Sequence, residues 1–174
     1  MNSSPHQETI AAALCGIGSP HGTDQLGWRM IDRAAGRLPA EVVPIRVAKP
    51  VDLLELSITE ALWIVDLCVL PADHPTDRLI VRRWPEKADL SDRSNWTSAH
   101  GWSPLNTLML METLGRLPRQ VTIALVALHD APDPTQSAEL EEPPTFSCLE
   151  QELLYLIDDE WQSSNRYSPK FAEP

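Results

Sequence analysis

The sequence predicts a three-layer αβα domain with a mostly parallel, mixed central sheet. Three observations carry that expectation. A small apolar run at residues 10–14 leads into a glycine-bearing turn and then a helical stripe, the opening of a βαβ unit. Two further runs, residues 62–70 and 121–128, are almost continuously apolar, as strands covered on both faces must be. Helical stripes separate and follow these runs, and strands alternating with helices imply a parallel sheet layered between them.

The elements follow in order. Residues 10–14 form the first strand. Gly16 and Gly18 then let the chain turn closely above the strand end, and Leu26, Met30, Ala34 and Leu38 repeat at helical spacing from Asp24 until Pro39 stops them. Residues 42–47 read as a second strand, which Pro44 assigns to an edge. Residues 50–56 form a short helix, and residues 62–70 a buried strand interrupted by one carboxylate, Asp66. Residues 76–83 alternate Arg78, Ile80 and Arg82 with Leu79, Val81 and Arg83, a pattern suited to a solvent-facing edge. Residues 85–96 carry charge without period and read as a loop. Ser103-Pro104 is a helix start, Leu105, Leu108, Met109, Leu114 and Leu117 its apolar face, and Gly115 and Pro118 bracket its end. The strand at 121–128 is followed by a proline-rich acidic loop at 129–144. Phe146, Leu149, Leu153, Leu156, Ile157 and Trp161 then trace a last helix. The expected organisation is a polar leader at 1–8, one domain at 9–163 and a frayed tail at 164–174.

Composition narrows the function. The formal net charge is −11, and no Lys or Arg lies between Arg119 and Arg166, where ten acids occur. Such a surface repels phosphate backbones, which argues against nucleic acid as a partner; it is a solvated face or a dock for a basic protein surface. No apolar run reaches the ~20 residues a membrane span needs. The three cysteines, Cys15, Cys68 and Cys148, are odd in number and far apart, so a reducing cytoplasm is the expected location. A dinucleotide site is excluded by pattern. The third glycine of G-x-G-x-x-G falls at His21, and no acid closes the second strand.

The stretch Gly16-Ile17-Gly18-Ser19 followed by Asp24-Gln25-Leu26-Gly27 resembles the N-terminal signature of the hydrogenase maturation endopeptidases. That family has a strand, Gly-x-Gly-Asn, a few residues, Asp, an acidic residue and a nearby Gly. Ile64-Val65-Asp66 looks like the family's apolar strand ending in a metal-binding Asp, and Thr97 to His100 like its Ser/Thr-rich approach to a ligand His before a helix. The resemblance spans residues 11–128. It implies a phosphorylase/hydrolase-like fold and a protease that removes the C-terminal extension of a nickel-containing hydrogenase large-subunit precursor, with the precursor's nickel as recognition signal. It further implies Asp66 and His100 as catalytic residues, Gln25, Asp66 and His100 as metal contacts, and Gly16, Gly18 and Asp24 as the supporting loop. Ser19 and Gln25 depart from the pattern, Gln25 standing where an acidic ligand is expected. The alternative is therefore a family member without protease activity that binds a hydrogenase subunit during assembly.

Chemically, carboxylate and imidazole donors suit a borderline divalent ion. No Ser-His-Asp or Cys-His signature competes with that reading.

Overall fold

A computed structural model describes residues 9–20, 25–69, 78–85, 103–128 and 145–167. The strands are β1 (Ile10–Ile17), β2 (Val42–Val47), β3 (Ile58–Val69), β4 (Arg78–Trp84) and β5 (Gln120–Leu128), and the helices α1 (Gln25–Ala34), α2 (Pro104–Thr113) and α3 (Phe146–Tyr167). Short 3₁₀ turns at Ala35–Arg37 and Pro50–Glu55 complete the described elements. The strands form one sheet in the order β2-β1-β3-β5-β4. Its four leading strands run parallel and β4 is antiparallel to β5. The sheet is thus mixed and mostly parallel, as expected, and the proline-bearing β2 and arginine-rich β4 occupy its edges.

Strand alternation builds the layers. From β1, Ala12 and Leu14 join Trp63, Val65, Ala124 and Val126 beneath α1 and α3. Ala13, Cys15 and Ile17 join Leu62, Ile64, Ile123 and Leu125 against α2 and the 50–55 turn. α1 follows β1 and begins at the carboxyl edge of the sheet; α2, whose exit leads into β5 at the amino edge, runs the same way, whereas α3 starts against the far end of α1, where Phe146, Ser147 and Glu150 meet Arg33. Ser103 caps α2 by accepting the Asn106 N–H at 3.2 Å, with Pro104 in the first turn. Gly115, at φ 64°, ends it in the left-handed region that glycine adopts without strain.

Two buried carboxylates fasten α3. Glu150 pairs with Arg33 at 2.7 Å and Arg37 at 2.8 Å, tying α3 to α1. Glu160 accepts hydrogen bonds from Trp63 Nε1, Thr122 Oγ1 and Gln120 Nε2 at 2.8, 2.8 and 2.9 Å, and pairs with Arg83 at 2.7 Å. The Trp63 and Trp161 rings meet edge-on beside it, 6.3 Å apart.

Several boundaries differ from expectation. β1 continues through Gly16 to Ile17, because residue 16 pairs with both neighbouring strands. β3 begins at Ile58 rather than at residue 62, and α3 continues past residue 163 to Tyr167, held there by Ser164, whose hydroxyl donates to Gln120 Oε1 at 2.7 Å. The leader, the loops at 86–96 and 129–144 and most of the expected tail lie outside the described residues. No described helix is long and apolar enough to cross a membrane.

Candidate functional site

The carboxyl edge of the sheet, where β1 and β3 run side by side, gathers the site. Gly16 of β1 pairs with Val65 of β3, so the next residues on the two strands are Ile17 and Asp66. Asp66 also pairs with Leu125 of β5 and is only 8% exposed. Its Oδ1 accepts the N–H of Leu67 at 2.8 Å. A carboxylate is costly to remove from water; here it sits where a strand buried on both faces meets the open edge. By alternation with Ile64 and Cys68, Asp66 belongs to the α2 side of the sheet. α2 begins on that same side and edge at Ser103, and His100, three residues upstream of Ser103, lies outside the described residues.

On the other side, α1 meets β1 without room for side chains. A Cβ on Gly27 would lie 2.1 Å from the Ile17 carbonyl oxygen, and one on Gly16 2.2 Å from Ile31 Cγ1 and 2.7 Å from the Gly27 oxygen. Gly16 is therefore a packing residue inside the strand rather than part of the turn. The turn itself starts at Gly18, whose N–H donates to the Val47 carbonyl at 3.0 Å.

Gln25 is the first residue of α1. Its Oε1 accepts from Arg29 Nη2 at 3.4 Å, one helical turn on. That pair was legible as an i, i+4 spacing but was not read from the sequence. The strip of α1 that touches β1 is Gly27 and Ile31, one turn apart, and Gln25 is not on it. Asp24 itself lies outside the described residues.

The structure thus brings Gln25 and Asp66 to one edge, on opposite sides of the sheet. Among the described residues no group of three or more His, Cys, Asp and Glu is arranged to hold a metal ion. Cys15, close to the site in sequence, is no nucleophile. Burial pushes its thiol up to about 12, so it stays protonated at neutral pH.

No protein-family model matches the chain, and no curated protein is a significant match. Solved structures do match. The hydrogenase maturating endopeptidase HybD from E. coli is 17% identical with a TM-score of 0.66, the match covering 89% of this chain and 94% of that one. An endopeptidase from Escherichia coli is 18% identical with a TM-score of 0.64, over 91% and 94% of the two chains. A hydrogenase 2 maturation peptidase from a Thaumarchaeota archaeon is 20% identical with a TM-score of 0.55, over 87% and 97%. At such identities the likeness establishes the fold, and this chain has the fold of those peptidases.

Proposed function

We propose that this chain is a hydrogenase maturation endopeptidase, cutting the C-terminal extension from a nickel-containing large-subunit precursor in the cytoplasm. The observation that carries the reading is Asp66: a buried carboxylate at the carboxyl edge, on the α2 side of the sheet, in a fold shared with such peptidases. In open α/β sheets that edge is where ligands are bound.

The metal belongs to the substrate. Asp66 and His100 form a carboxylate–imidazole set suited to a borderline ion such as nickel. The third donor is assigned to Asp24 in place of Gln25. Gln25 offers a neutral oxygen that already accepts from Arg29, and a guanidinium beside a cation is repulsive. Asp24 stands three residues before Gly27 in the sequence, and it carries the charge that Gln25 lacks.

With the precursor seated, Asp66, His100 and Asp24 would hold its metal, which would supply Lewis-acid chemistry to the scissile carbonyl and a nearby water. Water oxygen adds to the carbonyl carbon, the C–N bond breaks, and the water's proton passes to the leaving amine. The chain's own groups hold the ion and orient the bond.

The test is mass spectrometry of nickel-loaded and nickel-free precursor after incubation with the protein. Shortening of the loaded precursor alone is expected. Asp24→Asn and Asp66→Asn each remove a charge worth ~4 kcal/mol at ~4 Å before desolvation, so losses of roughly 100-fold are expected. Gln25→Ala should stay within about threefold, the size of a lost weak side-chain bond. Equal damage from Gln25→Ala and Asp24→Asn returns the ligand to Gln25. Shortening without nickel removes the metal from recognition. Binding without shortening of either precursor leaves the assembly-factor reading.

A further inference from the structure

We infer that Trp28 is a positioning residue for the head of α1, acting through the main-chain carbonyl of Val47; the inference rests on the peptidase reading given above. Val47 ends β2, and its oxygen takes two hydrogen bonds: from the Gly18 N–H at 3.0 Å and from Trp28 Nε1 at 3.1 Å. One acceptor thus holds both the point where the chain leaves β1 and the first turn of the helix that the chain next enters. A carbonyl oxygen has two lone pairs, and both are used.

The indole is itself held. The Arg46 guanidinium lies 5.6 Å from the Trp28 ring centroid, and Asp32, one turn on from Trp28 in α1, grips Arg46 with bonds of 2.8 and 2.6 Å. Ring, guanidinium and carboxylate fix the rotamer that aims Nε1 at Val47.

Glycine packing alone does not do this work. Gly16 and Gly27 set how close α1 comes to β1, but van der Waals contact is not directional and leaves rotation about the helix axis soft. The indole bond is directional. A helix surface lies ~5–6 Å from its axis, so a rotation of ~10° moves a side-chain tip by about 1 Å. Displacements of that size cost up to ~100-fold in rate. Gln25 opens this helix.

Trp28→Phe keeps an aromatic ring under Arg46 and deletes the N–H. With nickel-loaded precursor, kcat is expected to fall about tenfold with KM within twofold. Amide exchange at Gly18 and Arg29 is expected to quicken at least ~10-fold while Val65 and Ala124 keep their protection. An unchanged kcat overturns the inference, as does a loss of kcat matched by lost protection across β3 and β5. If the phenylalanine variant does not fold, Trp28→Met is read by the same criteria. If the wild-type chain cuts no precursor, the peptidase reading fails by itself. The exchange data then decide the positioning role: faster exchange at Gly18 and Arg29 supports it, and unchanged exchange overturns it.

Discussion

Replacing Gly27 by alanine tests whether the spacing between α1 and β1 sets both stability and activity. The added methyl lies 2.1 Å from the Ile17 oxygen and 3.2 Å from its carbon, both main-chain atoms of the strand end. Backbone cannot swing aside as a flexible side chain can, so α1 must move outward by roughly 1 Å to restore an ordinary contact. Alanine in a helix interior gains ~1 kcal/mol over glycine, whereas overpacking costs ~1–3 kcal/mol. The net expectation is a destabilisation of ~0–2 kcal/mol, or a Tm lower by up to ~8 °C for a chain of this length. The larger effect falls on function, because the residues at the head of α1 ride outward with it. Processing of nickel-loaded precursor is expected to drop ~100-fold at a temperature where the variant is fully folded. Gly36→Ala is the control, since a Cβ there meets nothing within 4 Å; it should be neutral or stabilising by ~0.4–1 kcal/mol. Thermal melts and a processing time course on both variants decide the matter. A Gly27→Ala protein with wild-type Tm and rate would refute the close-approach account of this glycine.

Two other predictions concern the interior. Glu160→Ala leaves the fully buried Trp63 Nε1 and Thr122 hydroxyl without their acceptor. At ~1–3 kcal/mol for each unmet buried donor, a loss of ~3–5 kcal/mol is expected in urea unfolding. Arg83→Ala, whose side chain is about half exposed, should cost distinctly less, and equal costs would show that the ion pair rather than the buried donors dominates. Cys15 predicts an alkaline weakness. Its thiol is pushed up to about 12 by burial, so above pH ~9 the unfolded chain ionises first and stability falls as pH rises toward the folded value. The fall is about 1.4 kcal/mol per pH unit in that window and absent at neutral pH. Between pH 7 and 10, Cys15→Ala should therefore lose about 1.4 kcal/mol less than wild type, and parallel losses would sink the assignment.

Much of the fold was legible because it rests on short-range pattern. The apolar runs containing Leu14, Ile64 and Ile123 read as strands, and they are neighbours in the sheet. Ser103-Pro104 and Gly115 read as helix ends, since caps depend on a few adjacent residues. The site was legible in part. The glycine stretch and Asp66 stood out and do share one edge, but Gly16 serves packing rather than turning. What assigns it there is contact with Ile31 and Gly27, which no local pattern encodes. Trp28 escaped notice for a similar reason: its acceptor is a main-chain oxygen 19 residues away, identical in chemistry to every other carbonyl.

The acid-rich last third of the chain makes the same point about charge. Along the sequence, Glu150, Glu152, Asp158, Asp159 and Glu160 look like one solvated helix face or a dock for a basic partner. In the fold they divide by helical position. Glu152, Asp158 and Asp159 point outward, while Glu150 and Glu160 are buried and meet arginines 117, 113 and 77 residues away in sequence. A segment without a single basic residue is thus matched to cations supplied by α1, its following turn and β4. Buried pairs of this kind add little net stability over apolar packing, yet breaking one costs several kcal/mol. Their effect is to penalise wrong seatings of α3 across α1 and the β3-β5-β4 half of the sheet. Part of the chain's charge asymmetry therefore specifies how its own last helix docks, and the field offered to any partner is smaller than the sequence count suggests.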